Sequence, residues 1–276
     1  MKIKTVALTA VMIAFSLTAC GGTSKEAAYN AVASVSDVEK SLKLSGFDGF
    51  AASWPVEIHY TQGQAYKVVA RGSEEAFSMT NITVIDGKLS IKQKKDSYQS
   101  DANMHTITLY VTAPDVNSIQ NNSRMDFTAQ SLKTDGLSIT NNGVLTFKAD
   151  AVVGKGLSAV FDVSNNGRMD ISVPSADVDE LSISNNGALM FSGETVNTGT
   201  LKMTNHGRMD FSGDVKGGSA DFNNSGVGTV KGAFTLDGTY TNTSYGRSDF
   251  EVDVTARSIS ISNSGVDMWK GRLKAD

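Results

Sequence analysis

The charged side chains whose type and spacing suggest chemistry in this chain are arginines and aspartates placed two residues apart. The pair recurs about every 40 residues, as Arg124/Asp126, Arg168/Asp170, Arg208/Asp210 and Arg247/Asp249. Residues two apart in a β-strand point to the same face, so each pair can form an exposed ion pair or contribute to a binding face. Because every one of these aspartates has an arginine beside it, the pattern favours ion pairing over metal binding.

A ten-residue pattern that contains these pairs is repeated eight times. Two copies are SITNNGVLTF at residues 138–147 and SISNNGALMF at residues 182–191. Ser123 replaces the glycine in the first copy, and the other glycines, 19 to 24 residues apart, are Gly143, Gly167, Gly187, Gly207, Gly226, Gly246 and Gly265. A fixed period near 20 is typical of solenoids, whose copies stack on one another. We therefore expect residues 117–276 to form an all-β, single-stranded parallel β-helix, or β-solenoid, of eight copies.

Each copy alternates apolar and polar residues on both sides of its glycine. In the fourth copy the apolar positions are Leu181, Ile183, Leu189 and Phe191. This alternation predicts two short strands joined at a glycine corner. The asparagine two positions before the glycine has the same inward parity, and stacked asparagine amides can satisfy one another as a ladder. The predicted structural ladder lacks only the seventh copy, which has Ser244, and contains Asn121, Asn141, Asn165, Asn185, Asn205, Asn224 and Asn263.

Copies with an Arg–Asp pair alternate with copies that carry small, apolar or hydroxyl side chains at the same positions, such as Ala188 and Met190. If one copy makes one turn, like charges lie about 9.6 Å apart on one face, twice the strand spacing. If two copies make one turn, arginines stack on arginines and another face is wholly apolar. Repulsion between like charges favours one copy per turn, although the sequence leaves both arrangements open.

An ordered array of charged rows suits a repetitive ligand, so we predict a binding module for a glycan or a surface protein, with the four Arg–Asp pairs as its ligand-binding residues. The three histidines, His59, His105 and His206, are dispersed, and no metal-ligand spacing, nucleophile elbow or phosphate-binding loop is evident. We therefore predict no enzyme activity, no metal and no cofactor. A net charge of −4 argues against nucleic acid as a partner. A structural protein that assembles edge to edge, as a homo-oligomer, is a further alternative.

The first twenty residues have the features of an export signal. Two lysines precede an apolar run at residues 6–17, and the sequence Leu-Thr-Ala-Cys follows it and ends at Cys20. This sequence resembles the lipobox of bacterial lipoproteins, in which cleavage exposes the cysteine for acylation. We predict a signal peptide at residues 1–20, lipidation of Cys20, a membrane anchor and a flexible tether at residues 21–40. Gly21, rather than aspartate, follows the cysteine, which favours the outer membrane over the inner membrane of the cell envelope.

Residues 41–116 form a β-rich N-terminal part that we expect to be continuous with the solenoid. Residues 82–85 and 89–92 flank Asp86-Gly87, a two-residue hairpin signal. Residues 106–112 alternate apolar and polar side chains before Pro114. Together with the lipobox and the repeated Asn-Asn-Gly corners, the runs DGKLSI at residues 86–91 and VTAP at residues 111–114 carry a family resemblance.

The chain resembles the bacterial putative auto-transporter adhesin family with the head GIN domain, over roughly residues 44–271. The resemblance implies a β-helix of the pectin-lyase type without recognisable catalytic residues, and a role in adhesion. The alternative that it leaves is a polysaccharide-processing enzyme, because β-helices of this type also include lyases and glycosidases.

Overall fold

The computed structural model describes residues 37–95, 105–156 and 158–276. The predicted signal peptide, Cys20 and most of the predicted tether lie outside the described residues. Within the part that is described, no helix is long and apolar enough to span a membrane.

The described residues of the N-terminal part form seven strands and one short helix. Their bounds are β1 (Val38–Leu42), β2 (Gly49–Ala52), β3 (Val56–Gln62), β4 (Lys67–Gly72), α1 (Glu74–Met79), β5 (Thr80–Ile85), β6 (Lys88–Gln93) and β7 (Ile107–Ala113). The predicted Asp86-Gly87 hairpin is present, because β5 and β6 pair antiparallel across it. Both turn residues have positive φ, 50° and 72°, as a type I′ turn requires. The tether prediction was too long, because its last residues, 38–40, are in β1, which pairs with β4.

The repeats form the strands that follow. Their bounds are β8 (Ser118–Asn121), β9 (Arg124–Thr134), β10 (Gly136–Asn141), β11 (Val144–Gly154), β12 (Val160–Asn165), β13 (Arg168–Ser172), β14 (Ser175–Asn185), β15 (Ala188–Asn205), β16 (Arg208–Asn224), β17 (Val227–Ser244), β18 (Arg247–Asn263), β19 (Val266–Trp269) and β20 (Leu273–Ala275). Neighbouring strands of this series pair in parallel.

The register shows that one copy makes one turn. Asn185 pairs with Asn205 between β14 and β15, and Ala188 pairs with Arg208 between β15 and β16. Corresponding positions of consecutive copies are therefore direct neighbours, as a parallel β-solenoid requires. The alternative with two copies per turn is wrong.

Each turn contains three extended segments instead of the two that the alternation predicts. After the corner at residues 186–187, β15 contains residues 188–192, a bend, and residues 195–198, before the chain reaches the next copy. We call the segments before the corner, after the corner and after the bend the first, second and third faces. Val196 and Val215 on the third face are fully buried, so all three faces enclose one core. The repeated sequence motif does not include the third segment, because the sequence of this segment varies among copies.

The core is a column of stacked apolar rungs. Phe127 and Phe147 stack with ring centroids 5.4 Å apart, and Phe191 and Phe211 stack at 5.1 Å. The column continues beyond the repeats into the N-terminal part, because β2 pairs in parallel with β8 and β3 pairs in parallel with β9. The solenoid and the N-terminal part therefore share one core over the described residues.

Candidate binding face

The second face carries two columns of outward side chains, which we call the strip. Strand register places the last three charged rows between rows of the alternating copies, and the Arg124–Asp126 row between the second copy and β3. One column contains Arg124, Val144, Arg168, Ala188, Arg208, Val227, Arg247 and Val266, and the other contains Asp126, Thr146, Asp170, Met190, Asp210, Thr229, Asp249 and Met268. All eight predicted Arg and Asp residues thus lie on one face, with like charges two rungs apart.

Each charged row forms its own ion pair across the two columns. The nitrogen–oxygen distances are 3.5 Å for Arg124–Asp126, 3.4 Å for Arg168–Asp170, 3.2 Å for Arg208–Asp210 and 3.4 Å for Arg247–Asp249. These guanidinium groups are exposed, and each donates only one or two of its five N–H groups to the paired aspartate. Exposed pairs of this kind contribute about 0–1 kcal/mol each to stability, so the array is not required for folding.

The rows between the charged pairs expose apolar side chains. Val144, Met190 and Val227 are 47%, 48% and 48% exposed. Between two charged rows the surface forms a shallow groove of about 270 Å³, lined by Arg168, Asp170, Ala188, Leu189, Met190, Arg208 and Asp210. Between its charged rows, the strip therefore presents exposed apolar side chains that are flanked by hydrogen-bonding groups.

A charged cluster borders the strip near its C-terminal end. Lys231, Glu251 and Lys270 occupy consecutive rows, and Glu251 lies 2.8 Å from Lys231 and 3.4 Å from Lys270. Hydrogen bonds from these two lysines hold the pKa of the Glu251 carboxyl below its usual value. The Glu251 carboxyl therefore stays charged at neutral pH beside the strip.

On the inner side of the same corners, asparagine side chains form a continuous ladder. Asn185 donates from Nδ2 to Oδ1 of Asn205 at 2.8 Å, and also to the backbone carbonyls of Gly187 and Arg208. The same contacts recur from Asn121 to Asn224, and these six residues are buried. Each amide thus joins two turns and closes its own corner, which gives the ladder a structural role.

The ladder ends before the last copy, so the assignment of Asn263 to it is wrong. Asn224 donates instead to Ser248 Oγ at 2.9 Å, and Ser248 contacts Ser244 Oγ at 3.1 Å. Two hydroxyl groups therefore replace one amide, because the seventh copy has serine at both the asparagine and the methionine position. Asn263 is exposed and accepts a hydrogen bond from the backbone N–H of Gly265, since no further turn of the described residues lies over it.

A second, exposed ladder runs along the outer side of the first four corners, which sequence reasoning missed. Asn142 donates to Asn122, Asn166 to Asn142 and Asn186 to Asn166, at 2.8 to 2.9 Å. The doubled asparagine of the corner motif was the available signal. His206 occupies this position in the fifth copy and contacts Ser225.

The other two histidines lie outside the strip. His59 stacks on Tyr110 and contacts Glu57, and the backbone carbonyl of His105 accepts a hydrogen bond from Trp54. Among the described residues, no group of three or more His, Cys, Asp or Glu side chains could hold a metal ion.

The sequence model of the family described as "Putative auto-transporter adhesin, head GIN domain" matches residues 46–166. This match confirms the family resemblance. The match covers the N-terminal part and the solenoid as far as the third corner. It ends well before residue 271, to which the motifs extend the resemblance. No curated protein sequence matches the chain.

Two solved structures are similar to this chain. A putative adhesin from Parabacteroides distasonis ATCC 8503 is 12% identical, with 88% of this chain and 98% of that chain covered and a TM-score of 0.53. A putative adhesin from Bacteroides fragilis NCTC 9343 is 14% identical, with 87% and 97% covered and a TM-score of 0.49. At these identities the likeness to the Parabacteroides structure shows the fold alone.

Proposed function

We propose that this protein is an adhesin of the cell envelope that binds a repetitive polysaccharide along the strip. The observation that supports the proposal is the alternation of charged and exposed apolar rows over eight successive turns of one face. A ligand with a regular repeat can occupy several grooves of the strip in the same way. The adhesin names of the matching family and of the similar structures agree with this role.

The chemistry of the strip favours a ligand that is rich in hydroxyl groups and low in net charge. Four arginines face four aspartates, so the charges of the array cancel. Guanidinium groups offer only donors and carboxylates only acceptors, whereas a sugar hydroxyl can serve as either. The exposed Ala188 and Met190 between two charged rows offer contact to the apolar face of a sugar ring. This combination of an apolar floor and a few polar groups is typical of sites that orient small ring systems.

Repetition gives the strip its strength, because each groove alone is shallow. Weak contacts on one rigid support act together, since the first one raises the effective concentration for the next. Long polysaccharides should therefore bind far more tightly than short fragments of the same sugar.

The test is a glycan-array screen of the protein, followed by binding of the best glycan to a variant with Arg168→Ser and Arg208→Ser. We expect at least a tenfold loss of binding with the thermal melting curve unchanged. The matched control removes two cations from other faces, Lys202→Ser and Lys216→Ser, and should bind like the wild type. Equal binding by all three proteins would refute the role of the strip.

The alternative of a polysaccharide-processing enzyme has one observation in its favour. A polar groove of about 450 Å³ runs beside the third face and is lined in part by Asp177, Asp179, Lys216 and Asp237. Carboxylates in a groove can act as acids or bases on glycosidic bonds. Release of reducing ends from the bound polysaccharide by the wild type, and its loss in Asp179→Asn, would favour the enzyme over the adhesin.

We further propose that a lipid at Cys20 anchors the protein in the outer membrane. The lipobox-like sequence before Cys20 supports this, and acyl chains at one site give stable membrane attachment when more than one is present. Cys20→Ser should abolish labelling by a fatty-acid analogue and release the protein from the membrane fraction. A variant that is still labelled and still in the membrane fraction would contradict the anchor.

A further inference from the structure

The first face ends in an edge strand that is open on one side. Residues 258–263 of β18 pair with residues 239–244 of β17. No strand among the described residues pairs with their other side, although β19 and β20 cover the earlier parts of β18. Ile261 has the parity of the buried Asn242 below it, yet it is 42% exposed. The strand therefore presents unpaired backbone groups, and it exposes an apolar side chain at a position that is buried in the earlier turns.

This edge lacks the features that usually prevent strands from pairing. Edge strands in soluble proteins are normally protected by charge, proline or a bulge. Residues 258–262 have the sequence Ser-Ile-Ser-Ile-Ser, which contains none of these. The opposite end of the solenoid is different, because the β5–β6 hairpin, the antiparallel strands β4 and β1, and the helix α1 follow its outermost parallel strands.

The sequence of the edge reads the same in both directions. In an antiparallel pair centred on Ser260, Ile259 of one copy lies opposite Ile261 of the other, and Ser258 lies opposite Ser262. Side chains of equal parity then share one face, so the isoleucines of both copies meet on the core side. Such a self-complementary contact is the property of a twofold interface, and β-branched residues in direct opposition stabilise antiparallel pairs.

We propose that two copies of this chain form a closed dimer through this strand, paired antiparallel about Ser260. A twofold pair about Ser260 uses this same edge of both copies, so the assembly stops at two copies. The two strips then lie on one particle, which doubles the number of rows available to a ligand. The pairing rests on the edge strand alone and does not depend on the proposed ligand.

Cysteine cross-linking in the full-length protein tests the register. In the proposed dimer the two copies of residue 260 face each other with Cα atoms about 4.5–5.5 Å apart, within reach of a disulfide. Ser260→Cys should therefore yield a disulfide-linked dimer on a non-reducing gel. The two copies of residue 262 are offset by four residues, or about 13 Å, so Ser262→Cys should remain monomeric on the same gel. No cross-link at residue 260, or equal cross-linking at both positions, would overturn the proposal.

The mass of the full-length protein in detergent solution gives an independent test. The wild type should have twice the mass of one chain, and Ile261→Lys should have the mass of one chain, because two buried ammonium groups would face the partner strand. Ile85→Lys is the matched control, since Ile85 is a 44% exposed isoleucine of the N-terminal hairpin, and it should remain dimeric. A wild-type protein that is monomeric up to high micromolar concentration would refute the dimer, as would an Ile261→Lys variant that remains dimeric.

Discussion

The inner side of the corners and the strip on the second face repeat with different periods. Inside, the asparagine and the glycine recur on almost every turn, with Asn185 bonded to Asn205 and Gly187 packed on Gly167. On the strip, arginine recurs only on every second turn, with Ala188 between Arg168 and Arg208. Stacking requires the inner repeat, because each amide needs an identical partner one rung away. Exposed ion pairs contribute little to folding, so the regularity of the strip calls for another explanation, and the proposed binding of a repetitive ligand is one.

The largest effect is expected from adding one methyl group to the inner corner. A Cβ atom at residue 187 would lie 2.0 Å from the carbonyl oxygen of Gly167, so Gly187→Ala forces two stacked backbones apart. We expect the free energy of unfolding to fall by about 3 kcal/mol or more. Gly156→Ala is the control, because nothing lies within 4 Å of a Cβ atom there. Chemical denaturation measures the loss in both variants, and an equal loss of stability would contradict the close packing of the glycine corners.

The asparagine ladder should rank second. Asn185→Leu removes the acceptor for Asn165 and the donor for Asn205, and a leucine cannot bond to the carbonyl groups of Gly187 and Arg208. Unsatisfied buried groups lower the free energy of unfolding by about 1–3 kcal/mol. Thermal and chemical unfolding should both show the loss. Asn185→Asp keeps the acceptor, so it should lose less stability than Asn185→Leu at a pH where the new carboxyl is protonated and can also donate.

The smallest effect is expected on the outer side of the same corner. Asn186 donates to Asn166 at 2.9 Å in the exposed ladder, where water can replace either group. Asn186→Ala should therefore change the free energy of unfolding by about 0.5 kcal/mol or less. Equal losses in Asn185→Leu and Asn186→Ala would show that the inner and outer sides do not differ as described.

The sequence predicts the features that depend on local repetition. Parity alone places Leu181, Ile183 and Asn185 inside, and the Asp86-Gly87 pair alone specifies its hairpin. Features that depend on distant partners are not predictable in this way. The chain around Val38 resembles a tether because its partner strand begins at Lys67, and α1 is too short for a periodic signal. The end of the ladder at Ser244 depends on Ser248, which is a neighbour only after the corner has formed.

The candidate site was only partly predictable for the same reason. Residue types and parity place the arginines and aspartates outside on one strand, but their alignment in columns depends on one copy making one turn. Repulsion between like charges favours that arrangement without excluding the other. Only the register between β15 and β16 shows that Ala188 and Met190 form the floor between two charged rows.

The most direct test of the proposed binding along the strip is to measure how binding depends on the number of intact Arg–Asp pairs. Binding to an adhesion target, such as the best glycan of the array, should be measured for Arg208→Ser, for the pair with Arg168→Ser, and for all four arginines replaced. The account predicts a loss that multiplies with each row removed, while the free energy of unfolding falls by no more than about 1 kcal/mol per exposed pair. Binding that disappears with one arginine, or survives the loss of all four, would contradict it.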